Sequence, residues 1–81
     1  MYKITFQVGK DGTKQKAEGK TVLSALNKLK EPKHIKVQTF LTVEHNNKKF
    51  EHTYSTIKMK FMFNKPIMKK ILAKKIEMFL K

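Results

Sequence analysis

Hydrophobic and polar residues alternate at the start of the chain: Tyr2, Ile4, Phe6 and Val8 are separated by Lys3, Thr5 and Gln7. A period of two is that of a strand with one buried face. Gly9-Lys10-Asp11-Gly12 then supplies turn chemistry, which predicts a hairpin with its second arm over Thr13 to Glu18. Ala17 is the single apolar residue of that arm, so it belongs at a sheet edge, where Lys14 and Lys16 oppose pairing with other chains. After Gly19 the period changes. Val22, Ala25, Leu26 and Leu29 recur at helical spacing, Thr21 can serve as N-cap and Pro32 blocks continuation, which predicts a short helix over about 21–30.

From His34 the period returns to two, with Ile35, Val37, Leu41 and Val43 on one face and Lys36, Gln38, Phe40, Thr42 and Glu44 on the other. Asparagine tolerates positive φ, so Asn46-Asn47 suits a two-residue type I′ turn. That turn pairs Val43 with Phe50, Leu41 with His52, Thr39 with Tyr54 and Val37 with Thr56, which gathers the apolar residues on one side. The other side then sets Glu44 across from Lys49 and Thr42 across from Glu51. Past Ser55 the apolar parity inverts, with Ile57, Met59, Phe61 and Phe63 alternating against Lys58, Lys60 and Met62. A bulge or break near Tyr54 to Thr56, followed by more strand, is the expected reading. Asn64 can cap a second helix that tolerates Pro66 in its first turn and runs to about Leu80.

These elements predict one α+β domain spanning residues 1–81. It is an antiparallel sheet of about four strands with two helices packed on one face, in the order ββαββα. At about 100° per residue, the apolar positions of the terminal helix cover roughly two-thirds of its circumference. Only Lys70, Lys74, Glu77 and Lys81 form an uninterrupted polar side. That arc is wider than one sheet face needs, so part of it is expected to meet the first helix or a second subunit in a homodimer. Lys75 lies inside the arc and Lys69 at its edge, and both are expected to lay their stems over apolar neighbours.

Charge sharpens the picture. Nineteen lysines, no arginine and six carboxylates give the 81 residues a net charge of +13, and the excess is even along the chain. A lysine ammonium satisfies a phosphate from many angles, whereas arginine supplies the planar fork that reads guanine edges. A polyanionic partner contacted through its backbone is therefore expected. With no cysteine, no glycine-rich phosphate loop and few carboxylates, a catalytic constellation has few possible members, and a non-enzymatic protein without cofactor or metal is expected. His45 and His52 do not converge in the expected register, and His34 has no evident acid or nucleophile beside it. No signal-peptide pattern or membrane-spanning run is visible, which points to a cytoplasmic protein, in the host cytoplasm if a phage or mobile element encodes it.

Two surfaces suit nucleic acid. The sheet face opposite the helices would offer Lys3, Lys36, Gln38, Phe40, Thr42 and Lys49, with Phe40 as a platform for an unpaired base. The terminal helix would offer Lys70 and Lys74 beside Lys65, Lys69 and Lys81. The sheet face is the preferred one. Binding of DNA or RNA with low sequence specificity is the leading expectation. An interaction module or inhibitor docking on an acidic surface of a host protein comes second. Attachment of the terminal helix to an anionic membrane surface ranks third.

Overall fold

In the computed structural model, which describes residues 1–10, 12, 14–31 and 37–81, the opening alternation forms strand β1 (Tyr2–Val8), antiparallel to β2 (Lys14–Gly19). Strands β3 (Gln38–His45) and β4 (Lys48–Ser55) follow, and the sheet runs in the order β2-β1-β3-β4 with every neighbouring pair antiparallel. The second arm is thus an edge strand, as its poverty in apolar residues predicts. The expected register of β3 and β4 holds for Val43–Phe50, Leu41–His52, Thr39–Tyr54, Glu44–Lys49 and Thr42–Glu51. Asn46 and Asn47 take φ of 49° and 65°, the left-handed values that a type I′ turn demands. The expected Val37–Thr56 pair survives only as hydrogen bonds from the Thr56 N–H and hydroxyl to the Val37 carbonyl, because the ladder ends at Gln38–Ser55. Three of the residues expected to begin this strand, His34, Ile35 and Lys36, lie outside the described residues.

Between the two hairpins, helix α1 (Val22–Leu26) is shorter than the expected span of 21–30. Its start is as expected, since Thr21 Oγ1 accepts from the Ser24 N–H at 3.1 Å and Ser24 Oγ accepts from the Thr21 N–H at 3.2 Å. Beyond Leu26 the chain tightens: Lys28 and Leu29 donate three residues back, to Ala25 and Leu26, each at 3.1 Å. The helix sits close on the end of β2. A Cβ at Gly19 would lie 2.8 Å from the Ala25 nitrogen, so glycine permits the approach.

Residues 56–63 correct the sequence reading. The apolar alternation there predicts strand, but Thr56–Phe63 forms a helix, α2, so among the described residues three helices rather than two cover the sheet and the order is ββαββαα. Ser55 keeps extended backbone and its Oγ accepts the Lys58 N–H at 3.2 Å, which starts the helix with no bulge. Thr56, Met59 and Met62 recur at helical spacing and are buried. Asn64 consequently ends α2 as its C-cap, and the terminal helix α3 (Pro66–Phe79) begins from Lys65, with Pro66 in its first turn.

The core lies between the inner sheet face and the three helices, with Phe6, Ile4, Leu41, Leu26, Met59 and Ile76 almost wholly enclosed. α3 buries Leu72, Ala73 and Ile76, and packs on both α1 and α2. Glu77 ties it to α1 by accepting the Val22 N–H at 3.1 Å, at the positive end of that helix. Gln15 clamps the turn after α1 by accepting from the Lys30 N–H at 2.8 Å and donating to its carbonyl at 3.2 Å.

The cap at Ser55 makes the helical state of residues 56–63 testable. Ser55→Ala removes the acceptor for the Lys58 N–H and lowers the free energy of unfolding by about 1 kcal/mol, whereas Ser55→Asp keeps it near the parent value. Urea unfolding of the two variants checks this, and equal loss in both would return the segment to strand.

Candidate nucleic-acid interface

The register fixes which side chains share the outer face of the sheet. One row across the strands reads Glu18, Lys3, Glu44, Lys49, and the next reads Lys16, Thr5, Thr42, Glu51. The third reads Lys14, Gln7, Phe40, Thr53. Three of the six carboxylates of the chain therefore stand on this face, among four lysines. Lys3 lies between two glutamates. Lys49 holds Glu51 at 2.9 Å, the one ion pair among the described residues. Its hydrogen bond to Glu51 and the charge of Glu51 hold the Lys49 ammonium above the usual lysine range against desolvation, with a lesser contribution from the charge of Glu44.

Such a face is a poor phosphate site. An exposed ammonium gains on the order of 1 kcal/mol from an anion at contact in water, and a carboxylate one strand away returns most of it. Lys3, Gln38, Phe40, Thr42 and Lys49 do share the face as expected, with three carboxylates standing among its four lysines. Lys36 lies outside the described residues. Phe40 is half-buried between Gln7 and Thr53, not a free platform. The Gln7 amide is turned away to the carbonyls of Gly9 and Lys10, at 3.0 and 2.6 Å.

The opposite layer is different. Residues 20–31 and 56–81, which build the helices, carry eleven lysines against only Glu31 and Glu77, an excess of nine, while the outer sheet face has an excess of one. Glu77 is already committed to the α1 backbone. On α3, Lys70 and Lys74 are exposed one turn apart, about 6 Å along the axis, with Lys65 before them and Lys81 after. Lys69 is half-buried. Its ammonium donates to Asn27 Oδ1 at 3.2 Å and stands 5.1 Å from the Phe63 ring, so it fastens α3 to the end of α1.

No family model, curated protein or solved structure matches this chain. Geometry and charge therefore carry the functional reading.

The histidines hold aromatic and backbone contacts. The His45 ring stacks on Tyr2 at 3.9 Å and its Nδ1 lies 3.0 Å from the Met1 carbonyl oxygen, while His52 meets Tyr54 edge-on at 4.4 Å. Among the described residues no three metal-binding side chains converge, and His34 is outside them. No helix among the described residues is long and apolar enough to cross a membrane.

The helical layer also exposes large apolar side chains, Phe61 on the segment that strand periodicity misreads and Ile71 and Met78 on the wide arc of α3. Phe61 and Met78 are 52% and 64% exposed, and Ile71 is 56% exposed between Lys70 and Lys74. Tyr54, at the edge of this surface, has its phenol pushed up by burial. Because the folded value is the higher one, the unfolded phenol ionises first as pH rises. Its contribution is fully present below about pH 10 and is lost as pH climbs through the folded value. Tyr54→Phe is expected to show a shallower loss of stability than the parent between about pH 9 and 11. Urea unfolding at stepped pH measures the difference, and parallel curves would remove the assignment.

Proposed function

We propose that this chain is a non-enzymatic protein that binds nucleic acid with low sequence specificity, and that it does so through its helical layer rather than its sheet. The observation that carries this reading is the polarised charge, an excess of nine on the helix-building segments against one on the outer sheet face. Lysine-only chemistry fits a backbone partner, since each ammonium neutralises a phosphate without reading a base. Lys65, Lys70, Lys74 and Lys81, exposed on and beside α3 and outside its apolar arc, would follow one strand of phosphates. Affinity then comes chiefly from counterion release.

Titration of random-sequence oligonucleotides across a range of salt tests this. Four lysine–phosphate contacts give a slope of log affinity against log salt of about −3.6 for duplex. The double variant Lys70→Ala/Lys74→Ala reduces the slope by about 1.8, whereas Lys3→Ala/Lys49→Ala leaves it unchanged. A salt-insensitive titration, or equal effects of the two pairs, would overturn the proposal.

A further inference from the structure

Beside the lysines of α3 lies an apolar hollow for which phosphate contacts have no use. A groove of about 330 Å³ runs between β4, α2 and α3, with Met59, Met62 and Leu72 in its floor and Phe61 and Met68 in its walls. An adjoining hollow of about 430 Å³ shares Ile71 and Lys75 with it and extends to Met78. From Met68 to Met78 the trough follows α3 for about 15 Å, nearly three helical turns. Every charged residue lining either hollow is a lysine: Lys58, Lys74 and Lys75.

We propose that this trough docks an amphipathic helix from another protein, one whose apolar ridge is flanked by aspartate and glutamate. Concavity and length suit a helix that inserts residues at i, i+3 or i+4, and i+7. Four methionines line the trough, and their flexible thioethers adapt to ridges of varied shape. The all-lysine rim selects the sign of the flanking charges. It also disfavours a second copy, because the rim would then face another chain of net charge +13. A flat lipid surface would leave the floor of the trough unfilled.

Selection of a display library of peptides about 16 residues long, enough to span the trough with turns to spare, tests the proposal on the whole chain. The expected winners repeat apolar residues at helical spacing with acidic flanks. Ile71→Glu weakens the best of them at least about tenfold, as removal of a central anchor does. Lys75→Glu, at an exposed position, weakens acidic winners and spares a neutral analogue of the same ridge, which keeps the test decisive if Ile71→Glu disturbs folding. Methyl NMR of the methionines locates the contact: Met59, Met62, Met68 and Met78 shift on peptide addition, and Met1, which lines neither hollow and lies by His45, does not. Basic or aperiodic winners would overturn the proposal, as would binding unchanged by both variants. So would a response of the four methyls to self-association alone, or to vesicles of phosphatidylcholine and phosphatidylserine alone. Oligonucleotide titration is a separate readout, so failure of either proposal leaves the other standing.

Discussion

The architecture turns on one junction, where Thr56 leaves β4. Its backbone N–H donates to the Val37 carbonyl oxygen at 3.1 Å, its hydroxyl donates to the same oxygen, and the side chain is wholly buried. Thr39, equally buried beside it, satisfies its own hydroxyl on the Tyr54 carbonyl at 2.9 Å. Enclosed polar groups are costly unless paired, so these bonds hold the chain at one place and in one direction. With Ser55 accepting the Lys58 N–H of the first helical turn, the strand cannot continue and α2 turns over the sheet. Had residues 57–63 remained strand, α1 and α3 alone would cover the inner face and no trough could form between α2 and α3. Instead the inner residues of β4 are only partly covered: Phe50 meets Phe79 edge-on at 5.4 Å, and Tyr54 stands at the groove.

Charge is even along the chain and uneven in space. Sheet pairing sorts it, because a carboxylate opposite a lysine on a solvated face stabilises the ladder: Glu18 and Glu44 stand opposite Lys3, and Glu44 opposite Lys49, while Glu51 pairs with Lys49 along its own strand. The helices receive lysines with almost no acids. That arrangement costs stability through self-repulsion, and Glu77 offsets little of it because its carboxylate serves the α1 backbone. A compositional surplus of lysine explains the count. It does not explain why half of the carboxylates stand on one sheet face.

The β3–β4 register was legible from sequence because two independent patterns, apolar on one face and charged on the other, agree only in that alignment. The segment 56–63 was not. Ile57, Met59, Phe61 and Phe63 satisfy a period of two, while Thr56, Met59, Met62 and Phe63 satisfy a helical one, and a seven- or eight-residue window does not separate them. The decision rests on a buried threonine hydroxyl and a distant carbonyl, which no local pattern records. Lys70 and Lys74 are readable as one stripe from helical angle alone, whereas the charge balance of the sheet face is half legible: the β3–β4 register already sets Glu44 and Glu51 on the face of Lys49, but only the β1 pairings place Lys3 between Glu18 and Glu44. Phe40 shows the same limit: parity places it on the outer face, but its half-burial depends on neighbours from two other strands.

The wide apolar arc of α3 has two physical roles. Leu72, Ala73, Ile76 and Leu80 close the core against α1 and the sheet, and the rest of the arc remains in water. A chain this small buries a modest fraction of its surface, so leaving Ile67, Ile71 and Met78 outside is a real loss of folding energy. An apolar face kept exposed at that cost invites self-association. Lys75 interrupts the arc at its centre, and Lys58 faces it from α2, so a second copy would bring like charges together at the point of closest approach. The same two ammonium groups admit a partner of opposite sign. The lysines within the apolar arc thus set which surfaces can cover it, and hydrophobic contact supplies the affinity once the sign is right.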